Sequence, residues 1–66
     1  MKYKNGEYLI LHDPVSRSLG ARDWEVKVID LGTDENGEAW YDVVPADKSI
    51  IQMPRRIPEK RLERIK

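Results

Sequence analysis

At 66 residues, with a formal net charge of zero and no cysteine, the chain has room for a single domain, 1–66, whose modest core must hold by packing alone. The lack of cysteine excludes disulfide staples and thiolate metal sites, and a lone histidine, His12, excludes a multi-histidine cage, so no metal or cofactor is expected. The apolar set is rich in Val, Ile, Trp and Tyr, which suit pleated strands better than helices.

Met1 to Gly6 leads into only a short apolar run, unlike a secretion signal, and no run approaches membrane-spanning length; a cytoplasmic chain without membrane contact is the expectation. Asn5-Gly6 marks a turn, and 7–12 reads as a first strand stopped by Asp13-Pro14. Both of its faces are apolar. Tyr8 and Ile10 are assigned to the core, and the strand is then either covered on both faces or exposes Leu9 and Leu11 as a contact face. Residues 13–23 read as a long loop with a basic tip, Arg17 and Arg22, and loops of that length in small domains commonly carry function.

Trp24, Val26 and Val28 alternate with Glu25 and Lys27, which predicts a half-buried strand over 24–30. Thr33 to Gly37 supplies a hairpin turn, since Asn36-Gly37 favours positive φ. The returning strand, 38–44, places Tyr41 and Val43 inward and Trp40 outward, making Trp40 the candidate for an exposed aromatic anchor. A second turn at 46–48 leads to a short fourth strand, 49–53, ended by Pro54, with Ile50 in the core. The end has two readings. Pro58 opens a short C-terminal helix, with Leu62 and Ile65 at helical spacing, or 58–61 form one 3₁₀ turn and 62–65 a closing strand. A fifth strand would cover an otherwise exposed edge, which favours the second reading.

This order of strand, long loop, strand, tight hairpin, strand, short turn, strand, 3₁₀ turn and final strand resembles the SH3-like small β-barrels, a group that includes Tudor and chromo-barrel modules. The residues that carry the likeness are Asn5-Gly6-Glu7-Tyr8, 24–30, 37–43 and 57–65. The likeness spans nearly the whole chain and is one of layout, with no motif specific to one family. It implies an all-β five-stranded barrel and a binding module rather than an enzyme. The paired-tryptophan, acidic-loop arrangement of proline-peptide-binding domains is missing, so proline-rich ligands are not favoured. The alternative fold is a four-stranded antiparallel sheet with the short C-terminal helix.

Charge is unevenly placed. Between Asp23 and Asp47 eight acids accompany one base, Lys27, whereas from Arg55 to Lys66 six bases accompany two acids. The two blocks either face each other or expose a basic surface to nucleic acid. His12, Asp13, Ser16 and Ser18 supply the residue types of a nucleophilic triad. Neighbours on a strand point to opposite faces, however, so Asp13 would not orient His12, and no catalytic residue is assigned. Asp30, Asp34 and Glu35 lack the spacing of a calcium loop. The aromatics could form a cage for a methylated ammonium only by leaving the core.

The expected function is therefore a non-enzymatic protein-interaction module, such as a small accessory or phage-type regulatory protein. Its partner would meet Arg17, Arg22, Trp40, Leu9 and Leu11. The alternative is a nucleic-acid-binding barrel that uses Arg55, Arg56, Lys60, Arg61 and Arg64 to track phosphates. In either case a monomer or weak homodimer is expected.

Overall fold

The computed structural model describes residues 2–12 and 23–65; the long loop with Arg17 and Arg22 lies outside the described residues. Five strands form one antiparallel sheet: β1 Tyr8–Leu11, β2 Trp24–Thr33, β3 Ala39–Pro45, β4 Arg55–Pro58 and β5 Leu62–Arg64, with a 3₁₀ turn at Glu59–Arg61 between the last two. The chain is all-β, and its end forms the turn and strand rather than the alternative helix. The order across the sheet is β4-β3-β2-β1-β5. β4 and β5 are thus its edges, and the sheet is open instead of being closed by hydrogen bonds into a barrel. Among the described residues no helix is long and apolar enough to cross a membrane.

The two edges are nevertheless consecutive in the chain. A flat five-stranded sheet would hold them about 19 Å apart, four spacings of about 4.8 Å, but the three residues of the 3₁₀ turn advance only about 6 Å. The sheet must curl. β2 supplies the bend, because its register with β3 shifts between Val28 and Asp30, and such a bulge bends and twists its strand. The β2–β3 turn is fixed by Asp34, whose carboxylate accepts the N–H groups of Asn36 and Glu38 at 2.9 and 3.0 Å. Gly37 completes it at φ +80°, a conformation that disfavours any side chain.

The concave face of the curl holds the core. Val26, Val28, Tyr41 and Val43 are buried there as their alternation predicts. On β1 the expected faces are inverted: Leu9 and Leu11 are 0% and 2% exposed, whereas Tyr8 is 46% exposed and Ile10 half-buried. Cross-strand register decides this. Leu9 pairs with Val26 and therefore shares its inward face, while Tyr8 pairs with Lys27. In this outward position the Lys27 ammonium lies 5.9 Å from the Tyr8 ring centroid, within cation–π range. Leu9 and Leu11 therefore cannot form a contact face.

The fourth strand also differs from expectation. Residues 49–53 form no strand, and β4 begins beyond Pro54, placing Ile57 opposite Tyr41. Ile57, rather than Ile50, fills the core. Trp24, expected inside, is half-buried at its margin.

The N-terminal arm completes the packing. Tyr3, 3% exposed, sets its ring edge-on to Tyr41 at 5.3 Å between centroids, and its hydroxyl donates to the Leu62 carbonyl at 3.0 Å. The Tyr3 N–H donates to the Tyr41 hydroxyl at 3.1 Å, so one residue ties the arm to β3 and to β5. Backbone bonds from Gly6 N–H to Val28 O, 2.8 Å, and from Val28 N–H to Glu7 O, 2.9 Å, carry the arm into β1.

Urea denaturation of two variants tests the inverted β1 face. Leu9→Ala should cost about 2–5 kcal/mol, the range for emptying a packed leucine site, and Tyr8→Ala less than about 1 kcal/mol. The reverse ranking would restore the Tyr8/Ile10 face to the core.

Candidate functional site

Trp40 is not a free anchor. Its ring packs on Gly32, the residue opposite it on β2, so closely that a Cβ at Gly32 would fall 2.9 Å from Trp40 Cε2 and nearer still to Cζ2. The Arg56 guanidinium stacks on the ring 3.6 Å from its centroid. Arg56 in turn grips Asp42 with two hydrogen bonds, 3.0 and 3.3 Å, a geometry that raises its pKa. Half-buried and covered by a fixed cation, Trp40 belongs to the sheet's outer face as a structural element.

The basic segment is engaged in the same way. Arg64 donates to Glu7 at 3.3 Å and to the Lys2 carbonyl at 2.8 Å, with its guanidinium carbon 5.3 Å from the Tyr3 ring centroid. Arg61 donates to the His12 carbonyl at 3.3 Å, and Arg55 also has an interaction partner. Lys60 is exposed and has no ion pair among the described residues. The acidic block meets the basic one at Asp42–Arg56, whereas Arg64 finds its acid on the N-terminal arm.

Among the described residues His12 lies between two carboxylates. Its Nδ1 lies 3.0 Å from Asp23 Oδ2 and its Nε2 2.7 Å from Glu63 Oε2, so the ring ties the end of β1 to the start of β2 and to β5. That is a clamp across the base of the long loop. Asp13, Ser16 and Ser18 lie outside the described residues.

Two concavities lie among the described residues outside these contacts. The larger, about 560 Å³, runs between the β2–β3 hairpin and the 3₁₀ turn, with Glu38 on one wall, Lys2 and Lys60 on the other, and Ala39, Pro58 and Leu62 between them. Its volume falls within the range of small-molecule sites. The carboxylate at its edge is already committed: Glu59 Oε2 accepts the Tyr41 hydroxyl at 2.6 Å and the Lys2 N–H at 3.3 Å. Burial and this bond push the Tyr41 hydroxyl pKa up, and the same bond holds the Glu59 carboxyl below the usual carboxylate range. The pair anchors the arm, and no nucleophile with a base and an orienting partner lines the groove among the described residues.

The second concavity is apolar and lies at the other end of β3. Leu11, Trp24, Val26, Val43, Val44 and Pro45 line it together with Gln52, Met53 and Arg55. Its free volume, about 10 Å³, is at the lower limit for one water. Beside it rises the β3–β4 loop, 46–54, whose Ile51 is 95% and Met53 85% exposed, with Ile50 also outside. The loop is built, not slack. Asp47 Oδ1 accepts the Ser49 N–H at 2.9 Å and the Ser49 hydroxyl at 2.7 Å, bonds that lower the Asp47 pKa. The Ile50 N–H reaches the Asp47 carbonyl at 3.1 Å, and the Ala46 N–H extends the ladder to Glu25 O at 3.0 Å. An ordered turn thus presents two large apolar side chains to water, at a loss of roughly 1.5–3 kcal/mol each relative to burial.

Sequence reasoning missed Ile51 and Met53 because Ile50, Ile51 and Met53 between two prolines read as a strand. The signal was Ile57, the only apolar residue between Pro54 and Pro58; once it takes the place opposite Tyr41, 46–54 must be connection. Neither a known protein family nor a curated protein sequence matches the chain.

Two outcomes check the site's supporting contacts. Gly32→Ala should displace the Trp40 ring, lower stability by about 1–3 kcal/mol, and red-shift tryptophan emission; unchanged emission would mean the ring does not rest on that backbone. For Glu59 the folded pKa is depressed, so its contribution is present above its unfolded pKa and is lost as pH falls through the lower folded value. Thermal melts of the wild type and Glu59→Gln should therefore differ at neutral pH and converge on acidification below the ordinary carboxylate range. A constant gap would remove the carboxylate from the latch.

Proposed function

We propose that this chain is a non-enzymatic protein-interaction module that docks through the β3–β4 loop and the apolar cleft at its foot. The observation that carries the reading is the exposure of Ile51 and Met53 on a loop tied by the Asp47–Ser49 turn, with Met53 also lining the cleft. Isolated exposed apolar residues are ordinary on protein surfaces. Two large apolar side chains exposed on an ordered loop that meets an apolar recess have the form of binding anchors. The engagement of Arg56 with Asp42 and of Arg64 with Glu7 favours internal ion pairing over a phosphate track for the basic segment.

The strand order, with a 3₁₀ turn joining the two edge strands, supports an SH3-like barrel layout for the fold. Such a layout suits a small accessory or regulatory protein that works by occupying a partner's surface. The docking site proposed is distinct from the expected one, since Leu9 and Leu11 are core and Trp40 is covered.

Affinity capture with the wild type and with Ile51→Asp plus Met53→Asp, run side by side, tests the reading. Both changes lie on exposed side chains, so the fold and melting temperature should be retained while a specifically captured protein is lost. Equal capture by both chains would displace docking from this loop.

A further inference from the structure

We infer that His12 is a proton-operated latch between β1 and edge strand β5: as an imidazolium it holds Asp23 and Glu63 at once, and as a neutral imidazole it lets Glu63 go. An ionised carboxylate only accepts hydrogen bonds, whereas a neutral imidazole carries one N–H and one acceptor nitrogen. Here Nδ1 lies 3.0 Å from Asp23 Oδ2 and Nε2 2.7 Å from Glu63 Oε2. Both nitrogens must therefore donate, which only the charged ring can do.

Among the described residues, the charged groups facing His12 come from three elements. Asp23 stands just before β2, Glu63 lies on β5, and Arg61 belongs to the 3₁₀ turn, where its Nε donates to the His12 carbonyl at 3.3 Å. Neither carboxylate can become a donor while ionised, so removal of one proton from the ring sets an acceptor against an acceptor. Exposure decides which contact gives way. The Glu63 side chain is 48% exposed and that of Asp23 26%, so Glu63 regains water more readily, while the more buried Asp23 has greater need of its partner. The neutral ring keeps its proton on Nδ1, toward Asp23, and Glu63 turns outward.

The effect falls on β5. That strand has three residues and pairs only with β1, and the bond from His12 N–H to Arg61 O, 2.9 Å, closes the end of its ladder. A strand with so few bonds opens locally at little cost, so a side-chain tie at its margin matters there. β2, ten residues long and paired on both sides, keeps its Asp23 contact and is left unchanged.

Ring-nitrogen NMR of the isotope-labelled intact chain at about pH 5.5 and about pH 8.5, either side of the range in which histidine side chains ordinarily titrate, tests the latch. The ring should carry two N–H groups at the lower pH and adopt the Nδ1–H tautomer, which the bond to Asp23 selects, at the higher. Hydrogen exchange at the His12 amide, corrected for the intrinsic rate at each pH, should show protection about threefold lower at the higher pH, the scale of an exposed charge pair. Glu63→Gln isolates the cause, because the introduced amide can offer its carbonyl to the charged ring and its N–H to the neutral one. In that variant protection should be equal at the two pH values. A ring already neutral at the lower pH, an Nε2–H tautomer at the higher, equal wild-type protection at both, or the same fall in Glu63→Gln each overturns the latch.

Discussion

The fold depends on one constraint of chain length: the two edge strands of a five-stranded sheet are joined by a three-residue 3₁₀ turn. Because that turn cannot span a flat sheet, β2 must bend, and its Val28/Asp30 bulge is where it does so. Once curled, the sheet has a single concave face, which gathers Leu9, Leu11, Val26, Val28, Tyr41, Val43, Ile57 and Leu62 into one core. Among the described residues no helix or second sheet covers that face. The sheet serves as its own partner.

Curling leaves an opening near the turn, and the N-terminal arm fills it. Tyr3 is well chosen, since its ring packs against Tyr41 while its two polar groups find Leu62 and the Tyr41 hydroxyl. The Tyr41 hydroxyl both accepts from Tyr3 and donates to Glu59, so a fully buried phenol is satisfied in both of its capacities. This explains why a carboxylate beside the larger groove is better understood as part of the latch than as a reactive group.

The β2–β3 hairpin was legible in the sequence because its strands alternate cleanly and its turn carries Asn36-Gly37. The closing turn and strand were legible because an uncovered edge disfavours a helix there. β1 was not, because both of its faces are apolar; only pairing of Leu9 with Val26 distinguishes them, and a one-residue change of register reverses every side chain. β4 was misplaced for a related reason. Ser49 to Met53 has more β-branched character than Arg55 to Pro58, yet Ile57 is the residue that meets Tyr41, and tertiary pairing outweighs local propensity. Trp40 lay on the face that alternation assigned to it. Its cover, the close approach to Gly32 and the Arg56 stack, depends on residues eight back and sixteen ahead that no local pattern links.

The misplaced strand and the candidate site are one fact seen twice. If 49–53 had formed β4, Ile50 would be inside; by pairing through Ile57 instead, the chain leaves Ile50, Ile51 and Met53 all exposed. Local propensity alone would have let this segment collapse onto the sheet. It is held away by the Asp47–Ser49 bonds and the Ile50-to-Asp47 backbone bond, each of a kind worth about 1 kcal/mol net. Stability is thus committed to presenting apolar surface rather than hiding it. That exposure, held by ordered contacts, is what the proposed docking through this loop rests on.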